Sequence, residues 1–397
     1  MKKALVLLAC ALTLMIGVVM ARSLEAQTYN VLHSFNGTND GANPVAGVTL
    51  DAAGNIYGTT SAGGTKFCGT VYRLEPSGSF SLLYTFQGQY WGGPDGCSPY
   101  ARVVFGPDGS LYGTTRIGGD GNGCSALHGC GTVFSVKPQP GTPELLLYRF
   151  GIYDGSNPLY ADLAFDQAGN IYGTTRNGGA NLQGAVYKLT PSGSGWSESV
   201  VYSFAGSPDG ATPLNGVIFD TAGNLYGATS GGGTNGWGTV YELKPSGSSW
   251  SEAVLHSFQG GSDGLTPTSA VFLDGTGRLY GATQAGGIGD GTAFDLAPSG
   301  SGTWNFRTLY YFGGGAFGGS YRTLVMDAAG NLYGTASADG AHQQGSVFKL
   351  TWSNGTWSYT SLHDFTGASD GGEPYGSLVI DAAGMSSRFR LTHLATR

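Results

Sequence analysis

Asn55-Ile-Tyr-Gly-Thr-Thr60 is a phrase that keeps returning: Ser110-Leu-Tyr-Gly-Thr-Thr115, Asn170-Ile-Tyr-Gly-Thr-Thr175, Asn224-Leu-Tyr-Gly-Ala-Thr229, Arg278-Leu-Tyr-Gly-Ala-Thr283 and Asn331-Leu-Tyr-Gly-Thr-Ala336. Its tyrosines stand at 57, 112, 172, 226, 280 and 333, in steps of 55, 60, 54, 54 and 53 residues. Self-similarity at such a period is the mark of a solenoid, a propeller or an array, in which one unit cannot bury its apolar face without its neighbours.

Working outward from the phrase, every unit offers four strand-like runs. In the fourth, Asn215-Gly-Val-Ile-Phe219 is an apolar run (strand A), and Asp220-Thr-Ala-Gly223 is a turn. Its Asp can cap the local backbone and its Gly can take positive φ. Strand B is the phrase itself, and a Gly-rich loop follows. Gly238-Thr-Val-Tyr-Glu-Leu243 (strand C) and residues 251–258 (strand D) alternate apolar and polar, with Lys244-Pro-Ser-Gly247 between them. Runs of about five or six residues without a 3.6-residue period match the blades of a β-propeller.

The chain then reads as a lone strand D at 29–35, six complete A-B-C-D units, and a seventh strand A at 376–380. Strands D and A at opposite chain ends are what ring closure needs, since one blade built from both ends leaves no open sheet edge. The expected fold is all-β: a propeller of four-stranded antiparallel blades, seven with the last incomplete, six being the alternative. Met385-Ser-Ser-Arg388 stands where the phrase should begin again. Phe389-Arg-Leu-Thr-His-Leu394 alternates like a strand, so the tail reads either as a missing strand or as an early or frame-shifted end. The domains are therefore a signal peptide at 1–26, a repeat domain at 27–384 and a divergent tail at 385–397.

Among the 397 residues are 71 glycines, without a Gly-X-Y period, so collagen is excluded. Charged residues are 11%, below the roughly 25% of an ordinary globular protein. Nineteen Lys and Arg against 26 Asp and Glu, a net charge of -7, leave no basic stripe for nucleic acid. Lys2 and Lys3 precede an apolar run at 4–20, and small residues at Ala21 and Ala26 suit cleavage, an export signal. Cys10 lies inside that signal. No later stretch reaches the roughly 20 apolar residues of a membrane span, and the expected location is extracellular.

The recurring Tyr-Gly-Thr-Thr, Gly-Gly, Gly-Thr-Val-Tyr/Phe-x-Leu and Leu-x-Ser-Phe phrases resemble the bacterial GloVer tandem repeat of choice-of-anchor surface proteins, over residues 29–384. The resemblance implies export and a repeat-built extracellular body, with no established activity. Anchored members end in a hydrophobic sorting segment, which residues 385–397 do not supply.

Candidate chemistry is thin. His33, His256 and His363 share one position in strand D, where other units carry Tyr84, Tyr148, Tyr202 and Tyr310. A place that takes either residue calls for a ring with a polar tip, not an imidazole ligand. His128, His342 and His393 have no partner at ligand spacing. The aspartates at 51, 166, 220, 274, 327 and 381 each open an A–B turn. An Asp-Gly-x-x-Pro phrase at 40–44, 95–99, 154–158, 209–213, 263–267 and 370–374 carries one carboxylate per loop, too few for calcium. Glycine pairs such as Gly63-Gly64 precede no helix and make no phosphate cradle. Trp196, Trp250, Trp304 and Trp357 follow the C–D turns and are expected to cover blade edges.

Removing the signal leaves Cys68, Cys97, Cys124 and Cys130, an even number suited to disulfides in an oxidising compartment. In an antiparallel blade the B–C and D–A loops emerge on one face, and all four cysteines fall in such loops. The expected pairs are Cys68–Cys97 and Cys124–Cys130, with Cys97 to Cys124 or Cys130 left open. Loops held on a rigid scaffold tend to carry function, so this face, with Tyr90, Trp91 and His128, is the expected binding surface. The reading is a secreted, non-enzymatic binding or scaffold protein without cofactor or metal, its partner a polysaccharide or a surface protein. The alternative is a propeller enzyme, a metal-dependent lactonase-like hydrolase or a polysaccharide lyase.

Overall fold

Each letter of the recurring phrase has a structural task. Ile56 is fully buried, and the Tyr57 hydroxyl donates to the Asp51 carboxylate across the A–B turn at 3.1 Å. Gly58 lies under the Tyr72 ring of strand C, where any Cβ would collide with the phenol. Thr59 donates to the Ala101 carbonyl of the next blade at 3.0 Å. Thr60 pairs with Thr70 of strand C at 2.8 Å. The phrase thus ties strand B to its turn, to its neighbour and to the next repeat, and so it survives while loops vary.

The computed structural model describes residues 29–380 apart from 89–92, 120–123, 125–127, 301 and 314–323. All its elements are strands. The repeats form six antiparallel sheets arranged as the blades of a propeller ring, five of them four-stranded with strands paired in chain order and the fifth blade carrying one more short strand, Leu265–Pro267, beside its strand B. Blade 1 consists of Thr49–Leu50, Ile56–Thr60, Thr70–Leu74 and Phe80–Thr85. Blade 4 has Ile218–Phe219, Leu225–Thr229, Thr239–Ser246 and Ser249–Ser257. Every strand B is buried throughout its five-residue core, whereas strand A shrinks to a two-residue ladder.

Strand D does not simply alternate. The C–D register shifts once per blade, between Val71 and Tyr72 in blade 1 and between Val240 and Tyr241 in blade 4. The extra residue of this bulge lets Leu83 turn into the core beside a neighbouring Tyr84. The core itself lies between blades. Tyr57, Val71 and Leu83 of blade 1 pack with Val103, Leu111 and Phe134 of blade 2. The Phe that ends each strand D inserts onto the strand C aromatic of the next blade: Phe86 on Phe134, Phe150 on Tyr187, Phe204 on Tyr241, at centroid distances of 5.0, 4.8 and 5.0 Å. Each such ring is fully buried, worth about 2–3 kcal/mol. The tryptophans of the C–D turns also bridge blades, Trp196 meeting Tyr112, Trp250 meeting Tyr172 and Trp304 meeting Tyr226. They cover blade seams, where blade edges were expected.

The two ends of the described stretch meet between blades 6 and 1. Phe35 packs on Tyr72 at 5.0 Å, in the manner of Phe86 on Phe134. Thr335 of blade 6 donates to the Gly376 carbonyl, as Thr59 does to Ala101 and Thr174 to Asn215. Leu378 joins Tyr333, Val347 and Phe365 of blade 6, while Val379 packs against Val48, Ile56 and Leu74 of blade 1. Residues 29–35 and 376–380 therefore stand where strands D and A of a seventh blade would stand. The expectation of seven blades is nevertheless corrected to six, because neither segment forms a ladder among the described residues. Strand D pairs only with a strand C, and no strand C for it lies among the described residues. The proposed signal peptide and tail fall outside them.

Candidate functional site

The loops that bear the polar residues are organised by one repeated contact. The strand D ring at the His/Tyr position meets the aspartate of the following Asp-Gly-x-x-Pro loop. His33 meets Asp40 at 3.2 Å, Tyr84 donates to Asp95 at 2.7 Å, His256 meets Asp263 at 3.1 Å and His363 meets Asp370 at 3.2 Å. Tyr148 and Tyr202 donate to Asp154 and Asp209. The same carboxylates accept backbone N–H groups of the loop, from Gln87, Ala205 and Gln259. Tyr and His interchange because each brings a ring-tip nitrogen or hydroxyl to one carboxylate. The proline closing the phrase seats against the Gly that opens strand C of the preceding blade. At Gly69, with φ of +95°, a Cβ would come 2.8 Å from Pro99 Cδ. These aspartates are structural. Among the described residues no three His, Cys, Asp or Glu side chains gather as a metal site.

The residue four places before each strand D ring lies against the ring of the preceding blade, as Tyr359 does on Tyr310 at 5.5 Å. Where that ring is His, an aromatic stacks on it: Phe80 on His33, Phe306 on His256, Tyr29 on His363. Where it is Tyr84, Tyr148 or Tyr202, the position holds Glu144, Glu198 or Glu252. Burial and the Asp95 carboxylate push Glu144 up to about 8; burial with Asp154 or Asp209 pushes Glu198 and Glu252 up to about 7. Oε1 of each is buried without a hydrogen-bond partner. Three seams thus hold a carboxyl that resists ionising beside an aspartate.

The B–C and D–A loops do share a face, here called the upper one. Backbone bridges join Ala42 to Ala62, Cys97 to Ile117 and Ser156 to Asn177. Both expected disulfides are present, Cys68–Cys97 and Cys124–Cys130, with Cα separations of 4.5 and 5.4 Å. They imply an oxidising environment. The first bridge joins the B–C loop of blade 1 to the D–A loop entering blade 2. The Cys68 carbonyl accepts the Ser98 N–H, and Cys130 accepts the Asn157 N–H at 2.7 Å.

Between these pinned loops and blade 3 opens a cavity of about 350 Å³, lined by Arg116, Ile117, Ile152, Asn157, Asn177 and Leu182 among others. Its walls come from the B–C loops of blades 2 and 3 and the D–A loop that joins them. Large apolar side chains stand exposed around this face: Phe67, Tyr153, Leu182, Trp237 and Ile288, with Tyr153 and Ile288 77% exposed. Tyr100 and Tyr160 meet edge to face at 5.4 Å, and the Arg116 guanidinium lies 5.6 Å from the Tyr100 ring.

Of the expected face residues, Tyr90 and Trp91 lie outside the described residues. His128 is exposed, on the stapled loop, where its carbonyl accepts the Gly118 N–H. The cavity residues were not singled out from sequence. A signal existed: the residue after the recurring phrase is Ser61, Ser230, Gln284 or Ser337 in four units but Arg116 and Arg176 in the two that flank the cavity.

A family model, the Gloeobacter/Verrucomicrobia repeat, matches residues 13–166 and 159–387. The chain belongs to this repeat family. Among solved structures, this Gloeobacter/Verrucomicrobia repeat protein is similar to a candidate gluconolactonase, at 13% identity over 84% of this chain and 93% of that one, TM-score 0.45. It is also similar to a candidate oxidoreductase of glucose dehydrogenase type from Thermus thermophilus, at 14% identity over 82% and 97% of the two chains, TM-score 0.45. A protein of unknown function from Dyadobacter fermentans matches at 13% identity, 84% and 97% coverage and TM-score 0.46. No curated protein matches the repeat protein.

Proposed function

We propose that this repeat protein is an exported, non-catalytic binding propeller whose upper face takes a polysaccharide. One observation carries the reading: the cavity between blades 2 and 3 lies where both disulfides anchor the loops. Blades 4 and 5 build their upper loops without a cystine, so the staples are not a requirement of the blade. Their place is beside a concave surface with apolar walls, amides and a guanidinium, the composition of a small-ligand site. Exposed aromatic and aliphatic tips elsewhere on the same face add contact area of the kind that sugar rings and protein surfaces use.

The test is titration of the purified protein against a panel of soluble polysaccharides, with reducing ends and unsaturated products followed in the same samples. Saturable binding without product supports the reading. Turnover of any panel member, or stoichiometric metal required for it, would transfer the protein to the hydrolase or lyase class. Absence of binding to every polysaccharide would leave a surface-protein partner as the better account.

A further inference from the structure

Resting on that reading, we infer that the cavity between blades 2 and 3 selects an anionic sugar unit, with Arg116 as its charge partner. The chain is acidic overall, and several of its cations are already ion-paired. Arg73 pairs with Glu75, Arg102 with Asp162, Lys137 with Asp108, Lys244 with Glu242, and both Arg278 and Arg307 with Asp295. Arg116 forms no ion pair among the described residues. Its Nε is buried without a hydrogen-bond acceptor, while its guanidinium plane is supported by Tyr100. A guanidinium held this way presents a fork of donors to a planar or tetrahedral anion, the geometry that makes arginine the usual partner of carboxylate and sulfate-like groups.

The fold does not require that arginine. At the same place in blades 1 and 4, Ser61 and Ser230 bond the carbonyls of Asn43 and Thr212, and the loop closes identically. A charged side chain has been substituted at a position where a short hydroxyl suffices. Beside it, Asn157 donates to the Asn177 side-chain oxygen at 3.3 Å, which leaves its own Oδ1 buried without a donor. An unmade acceptor bond of this kind is costly unless a ligand supplies the donor. Ile117, Ile152 and Leu182 provide the apolar wall. A ligand that satisfies all three features carries an anion, a hydroxyl and an apolar C–H face on one small ring. A uronate or a sulfated sugar is such a unit; a neutral sugar lacks the first feature.

Calorimetric titration of the full chain with hexagalacturonate, a sulfated galactan oligosaccharide and maltohexaose tests this, at about 20 and about 200 mM salt. The expected result is binding of one or both anionic probes, weakened by salt, with maltohexaose much weaker. Whichever anionic probe binds identifies carboxylate or sulfate as the group recognised. Arg116→Ser, which installs the residue of blades 1 and 4, should lower anionic affinity about tenfold or more at an unchanged melting temperature. Arg116→Lys should restore only part of it, because it keeps the charge and loses the fork. Equal binding of all three probes, or full affinity in Arg116→Ser, would overturn the inference while leaving the polysaccharide-binding reading intact. Absence of binding to any probe in a protein that binds other polysaccharides overturns it likewise.

Discussion

Tyr29 lies flat on His363, ring centroids 4.0 Å apart and planes within 7° of each other, so the first described residue clasps the last blade. Its hydroxyl donates to the Asp370 carbonyl at 2.6 Å, and burial with the Asp370 charge pushes that phenol up to about 12. The same stack occurs on the other side of the seam between His33 and Phe80, and at an internal boundary between His256 and Phe306. The seam is therefore built from the contacts of an ordinary blade boundary, made by two segments that form no ladder among the described residues.

A seam whose two segments lack a ladder of their own should be the weakest boundary. Tyr29→Ala is expected to lose about 2–3 kcal/mol of unfolding free energy, since a packed half-buried ring is removed. Tyr29→Phe keeps the stack and should lose only about 1 kcal/mol, the hydrogen bond to Asp370. Denaturant unfolding of both variants decides: equal losses would mean that the stack contributes nothing to closure.

Gly58 offers a sharper test of the repeat. Gly58→Ala drives a methyl into the Tyr72 phenol and should cost about 1–3 kcal/mol or more. Adding Tyr72→Leu, which vacates that space, should restore part of the loss. A double variant no more stable than Gly58→Ala would show that backbone freedom, not the ring, explains the glycine.

Replacing Cys68 and Cys97 by serine opens a loop of sequence separation 29 and should lower stability by about 3 kcal/mol. The same change should loosen the cavity walls, because Ser98 hangs on the Cys68 carbonyl. Hydrogen exchange at Ser98 and Ile117, before and after selective reduction, measures that directly. Unchanged protection there would separate the staple from the cavity.

The pH profile follows from two sets of carboxyls with opposite signs. Hydrogen bonds from Asn55 and its equivalents hold Asp51, Asp166, Asp220 and Asp327 below the usual range, and Thr276 and Arg278 N–H groups hold Asp274 there. Their stabilisation is present above the unfolded-state pKa and is lost as pH falls through the folded value. Glu144, Glu198 and Glu252 behave oppositely. Raised to about 8, 7 and 7, they keep protons that the unfolded chain releases above about pH 4.5. That contribution is lost between about pH 5 and 8. The melting temperature should therefore peak near pH 5 and decline toward pH 8, and a Glu→Gln triple variant at these positions should flatten the alkaline decline. A profile as steep in the triple variant as in the parent would refute the assignment.

The sequence by itself determined a great deal here. A six-residue phrase at a period of about 54 residues specified antiparallel quadruplets, since each letter meets a partner within its own repeat or in the adjacent one. The cysteine pairs were readable for the same reason: their loops emerge on one face of neighbouring units. Turn aspartates and strand D rings declared themselves by position. That each Asp-Gly-x-x-Pro aspartate receives the preceding His or Tyr was hidden, because the two lie in phrases with no shared pattern until the loop folds back.

Only the tertiary structure decided how the ring ends and where its hollow lies. The count of repeats cannot tell seven blades from six, because segments 29–35 and 376–380 look like strands but become strands only if a partner supplies the ladder. The placing of Glu144, Glu198 and Glu252 beside tyrosines, and of Phe80, Phe306 and Tyr29 on histidines, is likewise a property of the contact between blades, not of either sequence position. Arg116, Asn157 and Asn177 come from separate loops that converge at one seam, and a cavity is the shape of the space between elements. Local patterns encode the elements; what lies between them is set when the chain closes on itself.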